Sequence, residues 1–179
     1  EVQDMDRYQK ETIWMYGDQG ERVLARYPVG EDGPAYAIAT NFTDQRFACP
    51  SQALRRLLAQ HVPVWGYEFA DRAAPFMLPD WIVGLDLGAY HASELAYVFG
   101  TRWVFADPKR FTPEQKALSE RMQRLWATFG RSAFAAEWPR VEGAGPVRVF
   151  KPEGDAMDDG FFERHHCDFW DGTPFGAVH

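Results

Sequence analysis

His91 and Glu94 stand three residues apart in the stretch Gly88–Gly100, which reads GAYHASELAYVFG. The pair lies between a turn of small residues and an apolar run. An imidazole titrates near neutrality, so a histidine held at the rim of a sheet can take the proton of an attacking hydroxyl and return it to a leaving alcohol. A lone loop histidine is nonetheless more often a surface or structural residue than a catalytic one. Cys49 and Cys167 are the only cysteines, and by themselves they read as two unrelated buried thiols. His165-His166-Cys167 sets three metal-ligand types in a row. Contiguous residues with no second ligand pair at zinc-like spacing do not make a site. The sequence therefore calls for no metal and no dissociable cofactor. No G-x-S-x-G occurs, and Ser51, Ser93, Ser119 and Ser132 all lack the strand–turn–helix context that exposes a nucleophilic serine.

The elements that would position these residues alternate between helix and strand. Residues 2–27 have a helical pattern that breaks near Gly17–Gly20 and stops at Pro28. A turn at 28–34 and a second helix over 34–46 follow. Cys49-Pro50-Ser51 predicts a fresh helix start with Ser51 as N-cap, its apolar face formed by Leu54, Leu57 and Leu58. The run from Val62 to Phe69 is nearly continuous in apolar residues, as in a strand buried on both faces of a parallel sheet. Residues 70–90 read as a long irregular connection, the kind that often carries function. The clearest helix is 113–130. Thr112 and Gln115 form a capping-box pattern, Leu118, Met122, Leu125, Trp126 and Phe129 form one stripe, and Gly130 ends it. Val147–Phe150 predicts a short strand, and Phe161–Trp170 a last short helix. Helix followed by buried strand points to an α/β fold.

Composition narrows the function classes. The chain has 179 residues, 46% of them hydrophobic and 16% aromatic, enough to bury a core. Its net charge of −7 and scattered basic residues give no footprint for nucleic acid. No uninterrupted apolar window reaches membrane-span length. Arg outnumbers Lys 15 to 4, which suggests a GC-rich, bacterial coding sequence, so the sequon-like Asn41-Phe42-Thr43 is read as a plain polar triplet. The opening residues form no signal peptide, and without an initiator Met, Glu1 is expected not to be the natural start of translation.

The segment Gly88–Gly100 closely resembles the histidine segment of type-B carboxylesterases, the α/β-hydrolases that include the cholinesterases. That segment typically runs G-A-x-H-G-x-E-L-x-[YF]-V-F-G. Ala92 replaces its usual Gly and Ala96 a frequent Pro. If the position of Ala92 requires positive φ, its Cβ brings strain. The resemblance extends along nearly the whole chain, through Ala48-Cys49-Pro50, Val64–Phe69, Phe111–Phe129 leading into Trp138-Pro139, and Cys167-Asp168-Phe169-Trp170, in the family's order and approximate spacing.

The resemblance implies that residues 1–179 are the C-terminal part of a single carboxylesterase catalytic domain of α/β-hydrolase fold. His91 would be the triad's general base and acid, and Glu94 a buried support beside it rather than the triad acid. The acid and the serine nucleophile would lie in a preceding N-terminal segment of the same protein, which makes that segment a partner. Trp81, Leu87 and Tyr90 would line an acyl or alcohol pocket for a small-molecule ester, or simply pack against neighbouring loops. Cys49 and Cys167 would form a disulfide, closing a loop that the chain-entropy model credits with a ceiling of roughly 4–5 kcal/mol. Such a bridge implies a secreted or periplasmic location, with a cytoplasmic one left open. The expected activity of the whole protein is carboxylic-ester hydrolysis, and the isolated chain is expected to be inactive. A non-catalytic binding or adhesion relative, and a fragment without function of its own, are the alternatives.

Overall fold

In a computed structural model the described residues are 4–76, 88–102, 106–132, 138, 140 and 145–171. The chain forms two compact units, one from residues 1–57 and 160–179 and one from residues 58–159.

The first unit is helical. Helix α1 spans Met5–Tyr16, capped by the Asp4 side chain accepting from the Asp6 amide. The expected break falls at a 3₁₀ turn, Gly17–Gln19, before α2, Gly20–Arg26. Gly17 takes φ +52°, a conformation that opposes a side chain. Helix α3 is Gly33–Thr43. It does not end there: a π-helical segment, Asp44–Ala48, leads without interruption into α4, Cys49–Leu58. Ser51 is therefore interior to a helix and not a cap. Pro50 supplies the reason. Its ring removes the amide that would bond the Arg46 carbonyl and crowds that carbonyl, and a widened turn just before it relieves the clash.

Leu54, Leu57 and Leu58 do share a stripe, but it faces outward, with exposures of 55%, 57% and 41%. Cys49 and Gln52 are the buried positions of α4. The guanidinium groups of Arg55 and Arg56 lie over the rings of Phe161 and Phe162 at 5.0 and 6.0 Å. The final segment forms two one-turn helices, α7 at Phe161–Arg164 and α8 at Cys167–Trp170, instead of one. A disulfide joins Cys49 to Cys167, with Cα atoms 5.2 Å apart.

Tyr27 is the hub of this unit. Its hydroxyl donates to Asp44 Oδ2 at 3.0 Å and accepts from Trp170 Nε1 at 2.7 Å, while its carbonyl accepts from Tyr8 Oη at 2.7 Å. Tyr16 Oη donates to Asn41 Oδ1 at 2.7 Å. Around them pack Val23, Cys49, Cys167 and Trp170. His165 Nε2 lies 3.0 Å from Arg164, which has no acceptor, so Nε2 accepts and Nδ1–H donates to Asp44 Oδ1 at 2.5 Å.

The second unit holds a three-stranded sheet in the order β1–β2–β3, from Tyr67–Phe69, Val147–Phe150 and Ala156–Asp158. β1 runs parallel to β2, with Glu68 opposite Val149, and β2 runs antiparallel to β3. β1 is shorter than the apolar run from Val62 suggests. It has one neighbour among the described strands, and Val62 and Tyr67 are exposed. Helix α5 is Leu95–Phe99, and α6 runs Pro113–Ser132, two residues past Gly130. The capping box closes in both directions: the Gln115 amide donates to Thr112 Oγ1 at 3.2 Å, and the Thr112 amide to Gln115 Oε1 at 3.0 Å. Leu118, Met122 and Leu125 are buried from its stripe, Trp126 is half-buried, and Phe129 is exposed. Trp126 meets Trp138 and Phe150 at 5.2 and 5.5 Å.

Burial, foremost, raises the phenol pKa values of Tyr8, Tyr16 and Tyr27, and the Asp44 carboxylate adds to the rise at Tyr16 and Tyr27. A phenol whose folded pKa lies above its unfolded value of about 10 contributes its full stability below that value and loses it as pH rises through the folded value. In an alkaline titration these phenolates therefore appear together with loss of helical circular dichroism above about pH 10, in one cooperative step. Stepwise ionisation in a chain that stays folded would contradict this. Thr112→Ala should cost about 1 kcal/mol in a denaturant titration by removing half of the α6 cap.

Candidate functional site

His91 sits in a turn closed by the Ser93 amide donating to the Tyr90 carbonyl at 3.0 Å. Its imidazole is exposed. Ala92 occupies the third position of that turn with φ +68°. This is the left-handed region that type II turns assign to glycine, so the alanine Cβ is strained as the departure from the G-A-x-H-G pattern implies.

Two tyrosines hold the turn. Tyr90, one residue before His91, donates its hydroxyl to the Pro75 carbonyl at 2.9 Å and packs edge-on against Phe76 at 5.1 Å. Tyr97, six residues after it, is fully buried. Its ring stacks on Phe111 at 4.1 Å and leans on Phe69 at 4.9 Å, and its hydroxyl donates to Asp71 Oδ2 at 2.5 Å. Ser119 Oγ of α6 donates to the Tyr97 carbonyl at 2.8 Å. Both anchors reach the segment 71–76, which directly follows β1. The histidine turn thus lies at the carboxyl end of a parallel strand, where open α/β sheets place their ligands.

Asp71 is buried, and its carboxylate accepts from three groups: the Tyr97 hydroxyl, Gln115 Nε2 at 2.9 Å and the Ala73 amide at 3.0 Å. Burial, foremost, and then this carboxylate push the Tyr97 phenol far up. The Tyr90 phenol is pushed up to about 12, by burial and then by Asp71, with Arg110 opposing. Both tyrosines are neutral donors across the physiological range.

Glu94 is half-buried and immediately precedes α5, its carbonyl accepting from the Tyr97 and Val98 amides at 3.0 and 2.9 Å. Its charge reaches Tyr67 of β1, where it adds to the effect of burial in raising the phenol. Of the expected pocket residues, Tyr90 is placed beside the turn, while Trp81 and Leu87 lie outside the described residues. Ser119 and Ser132 sit within α6, Ser51 within α4, and Ser93 is buried in the histidine turn. None of the four directly follows a described strand. Cys167 is committed to the disulfide and His165 to Asp44. Among the described residues no three histidine, cysteine or acidic side chains are grouped as metal ligands. No described helix is long and apolar enough to cross a membrane.

Parallel strands, a helical crossover between them and a turn bearing a histidine at a strand's carboxyl end are features of an α/β protein. The chain belongs to the carboxylesterase family, whose sequence profile matches residues 2–170. It is 32% identical over 105 residues to an acetylcholinesterase of Bungarus fasciatus, covering 58% of this chain and 16% of that protein. It is 26% identical over 141 residues to the bile salt-activated lipase of Homo sapiens, covering 72% and 18%. To an acylcarnitine hydrolase of Rattus norvegicus it is 30% identical over 117 residues, covering 63% and 20%. The chain thus spans a fifth or less of the length of these three relatives. All three come from animals and lend no support to a bacterial source.

The strain at Ala92 is directly testable. Ala92→Gly should raise stability by about 1 kcal/mol, because glycine enters the left-handed region without a Cβ penalty. Gly100 gives the opposite control. It has φ +60°, and an added Cβ would stand 2.9 Å from Gln123 Nε2, so Gly100→Ala should lower stability. Thermal melts of the two variants read both signs; a destabilised Ala92→Gly would contradict the strain.

Proposed function

We propose that this chain supplies the catalytic histidine of a serine carboxylesterase, with His91 as general base and acid. The observation that carries the reading is the placement of the His91 turn at the carboxyl end of β1, with the imidazole exposed while Tyr90 and Tyr97 on either side are tied down. Membership of the carboxylesterase family and the hydrolase and esterase names of the relatives support it.

In this reading a serine from a preceding segment attacks a carboxylic ester. His91 accepts the serine proton as the tetrahedral intermediate forms, then protonates the departing alcohol. Water enters, gives its proton to His91, and attacks the acyl-enzyme; the proton returns to serine as the acid leaves. Backbone amides of the same preceding segment hold the oxyanion, and an upstream acid orients the imidazole, with Glu94 as support near it. Tyr90 borders the pocket. The 179 residues make up the C-terminal part of that catalytic domain and are inactive alone. The exposed leucine stripe of α4, Leu54 and Leu57 among it, supports a further segment of the same protein packing there. The Cys49–Cys167 disulfide supports an oxidising compartment, extracellular or periplasmic.

The test is the natural reading frame that contains this chain, expressed with whatever precedes Glu1. A fluorophosphonate probe should label one serine there, and His91→Asn should lower kcat for a nitrophenyl ester by roughly 10⁴-fold with the protein still folded. Full hydrolysis by His91→Asn would sink the reading. A frame with no reactive serine would leave a binding or adhesion role in its place.

A further inference from the structure

Asp71 lies outside the triad reading, yet among the described residues it is the buried charged group to which the histidine turn's anchors connect. Its environment is chemically one-sided. Oδ1 accepts from the Ala73 amide, and Oδ2 from both the Tyr97 hydroxyl and Gln115 Nε2. Each partner donates to it, so both oxygens act as acceptors, the role a carboxylate fills. An asparagine would set an NH₂ against a donor on one side or the other.

The partners lie on different elements. Tyr97 belongs to α5, which follows His91. Gln115 belongs to the first turn of α6, where its Oε1 also completes the cap, and Gln115 Nε2 donates as well to the Ala73 carbonyl at 3.0 Å. Ala73 lies in the segment whose Pro75 carbonyl receives Tyr90; the Ala74 amide donates to the Asp71 carbonyl at 3.2 Å, turning the chain toward it. One carboxylate therefore fixes the element after His91, the seat of the residue before it, and the helix both rest on. The turn between these two anchors is strained at Ala92, and a strained turn holds its shape only when its surroundings over-determine it.

We propose that Asp71 is a positioning residue for His91. Acting through Tyr97 on one side and the 71–76 segment on the other, its carboxylate sets the direction of the imidazole. The proposal rests on the reading of His91 as the catalytic base.

The test uses the esterase reading frame that contains this chain, with kcat, KM and melting temperature measured for each variant. Asp71→Ala should lower kcat roughly a hundredfold with KM little changed, the size of effect expected from misplacing a reacting group by about 1 Å. Tyr97→Phe keeps the ring stack on Phe111 and removes only the hydroxyl; it should lower kcat in the same sense by about tenfold, and it decides the question if Asp71→Ala does not fold. Asp71→Asn should behave like Asp71→Ala. A fall in melting temperature with kcat unchanged within twofold in Asp71→Ala or Tyr97→Phe would overturn the proposal, leaving Asp71 a structural residue. Activity that survives His91→Asn instead overturns the catalytic reading itself, and the proposal with it.

Discussion

The parallel pairing of Tyr67–Phe69 with Arg148–Phe150 is the constraint on which the second unit depends. Two parallel strands cannot be joined by a hairpin, so the chain must leave β1 at one end and return to start β2 at the other. The crossover here contains the His91 turn, α5 and α6. It is held to the sheet by aromatic contacts: Trp126 of α6 meets Tyr67 at 5.0 Å and Phe150 at 5.5 Å, and Tyr97 of α5 meets Phe69 at 4.9 Å. The position of the histidine follows from this route. A chain leaving the carboxyl end of β1 delivers its first residues there, and Asp71 and Pro75 become the acceptors on which the later tyrosines dock. Without the parallel register those acceptors would have no fixed relation to α5.

The docking is polar as well as aromatic, and this explains why the Tyr97 hydroxyl can be buried at all. A hydroxyl taken from water without a partner costs several kcal/mol, of order 2–7, and an isolated buried carboxylate costs more. Each lowers the other's penalty here, and Gln115 and the Ala73 amide donate two further hydrogen bonds to Asp71. Polar partners with fixed donor and acceptor roles constrain the geometry of the site region more tightly than a purely apolar contact would.

Local signals marked some of this clearly. The α6 capping box and the break at Gly17 are determined by residues within a turn of one another, and both appear where their chemistry puts them. Ala92 at the glycine position of the histidine segment carries the positive φ that its place in the pattern implies. The Asp71 network was not legible, because its members lie on separate elements and only tertiary contact brings Tyr97 and Gln115 onto one carboxylate. The one hint was an acidic residue, Asp71, two positions past the end of an apolar strand. The long strand expected from Val62 failed for a related reason. An apolar run shows that a segment can be buried, but the paired length is set by the neighbouring strand, and β2 offers four residues.

Helix α4 shows how far periodicity alone reaches. The spacing of Leu54, Leu57 and Leu58 correctly defines one stripe, yet the buried side is the other one. Arginine makes that inversion physically possible. Its guanidinium is planar and weakly hydrated, so it can lie flat over an aromatic ring where a lysine ammonium would keep its water. Arg55 and Arg56 do so over Phe161 and Phe162, the residues that open the C-terminal segment carrying Cys167. The disulfide fixes the start of α4 against that segment, and Pro50 with its π-helical lead-in rotates the following turn. With the helix pinned at Cys49 and its phase set by that widened turn, the arginine side faces the phenylalanines whatever the leucines would prefer. An amphipathic pattern therefore reports which residues share a face, while a covalent anchor and a change of helical pitch decide which face turns inward.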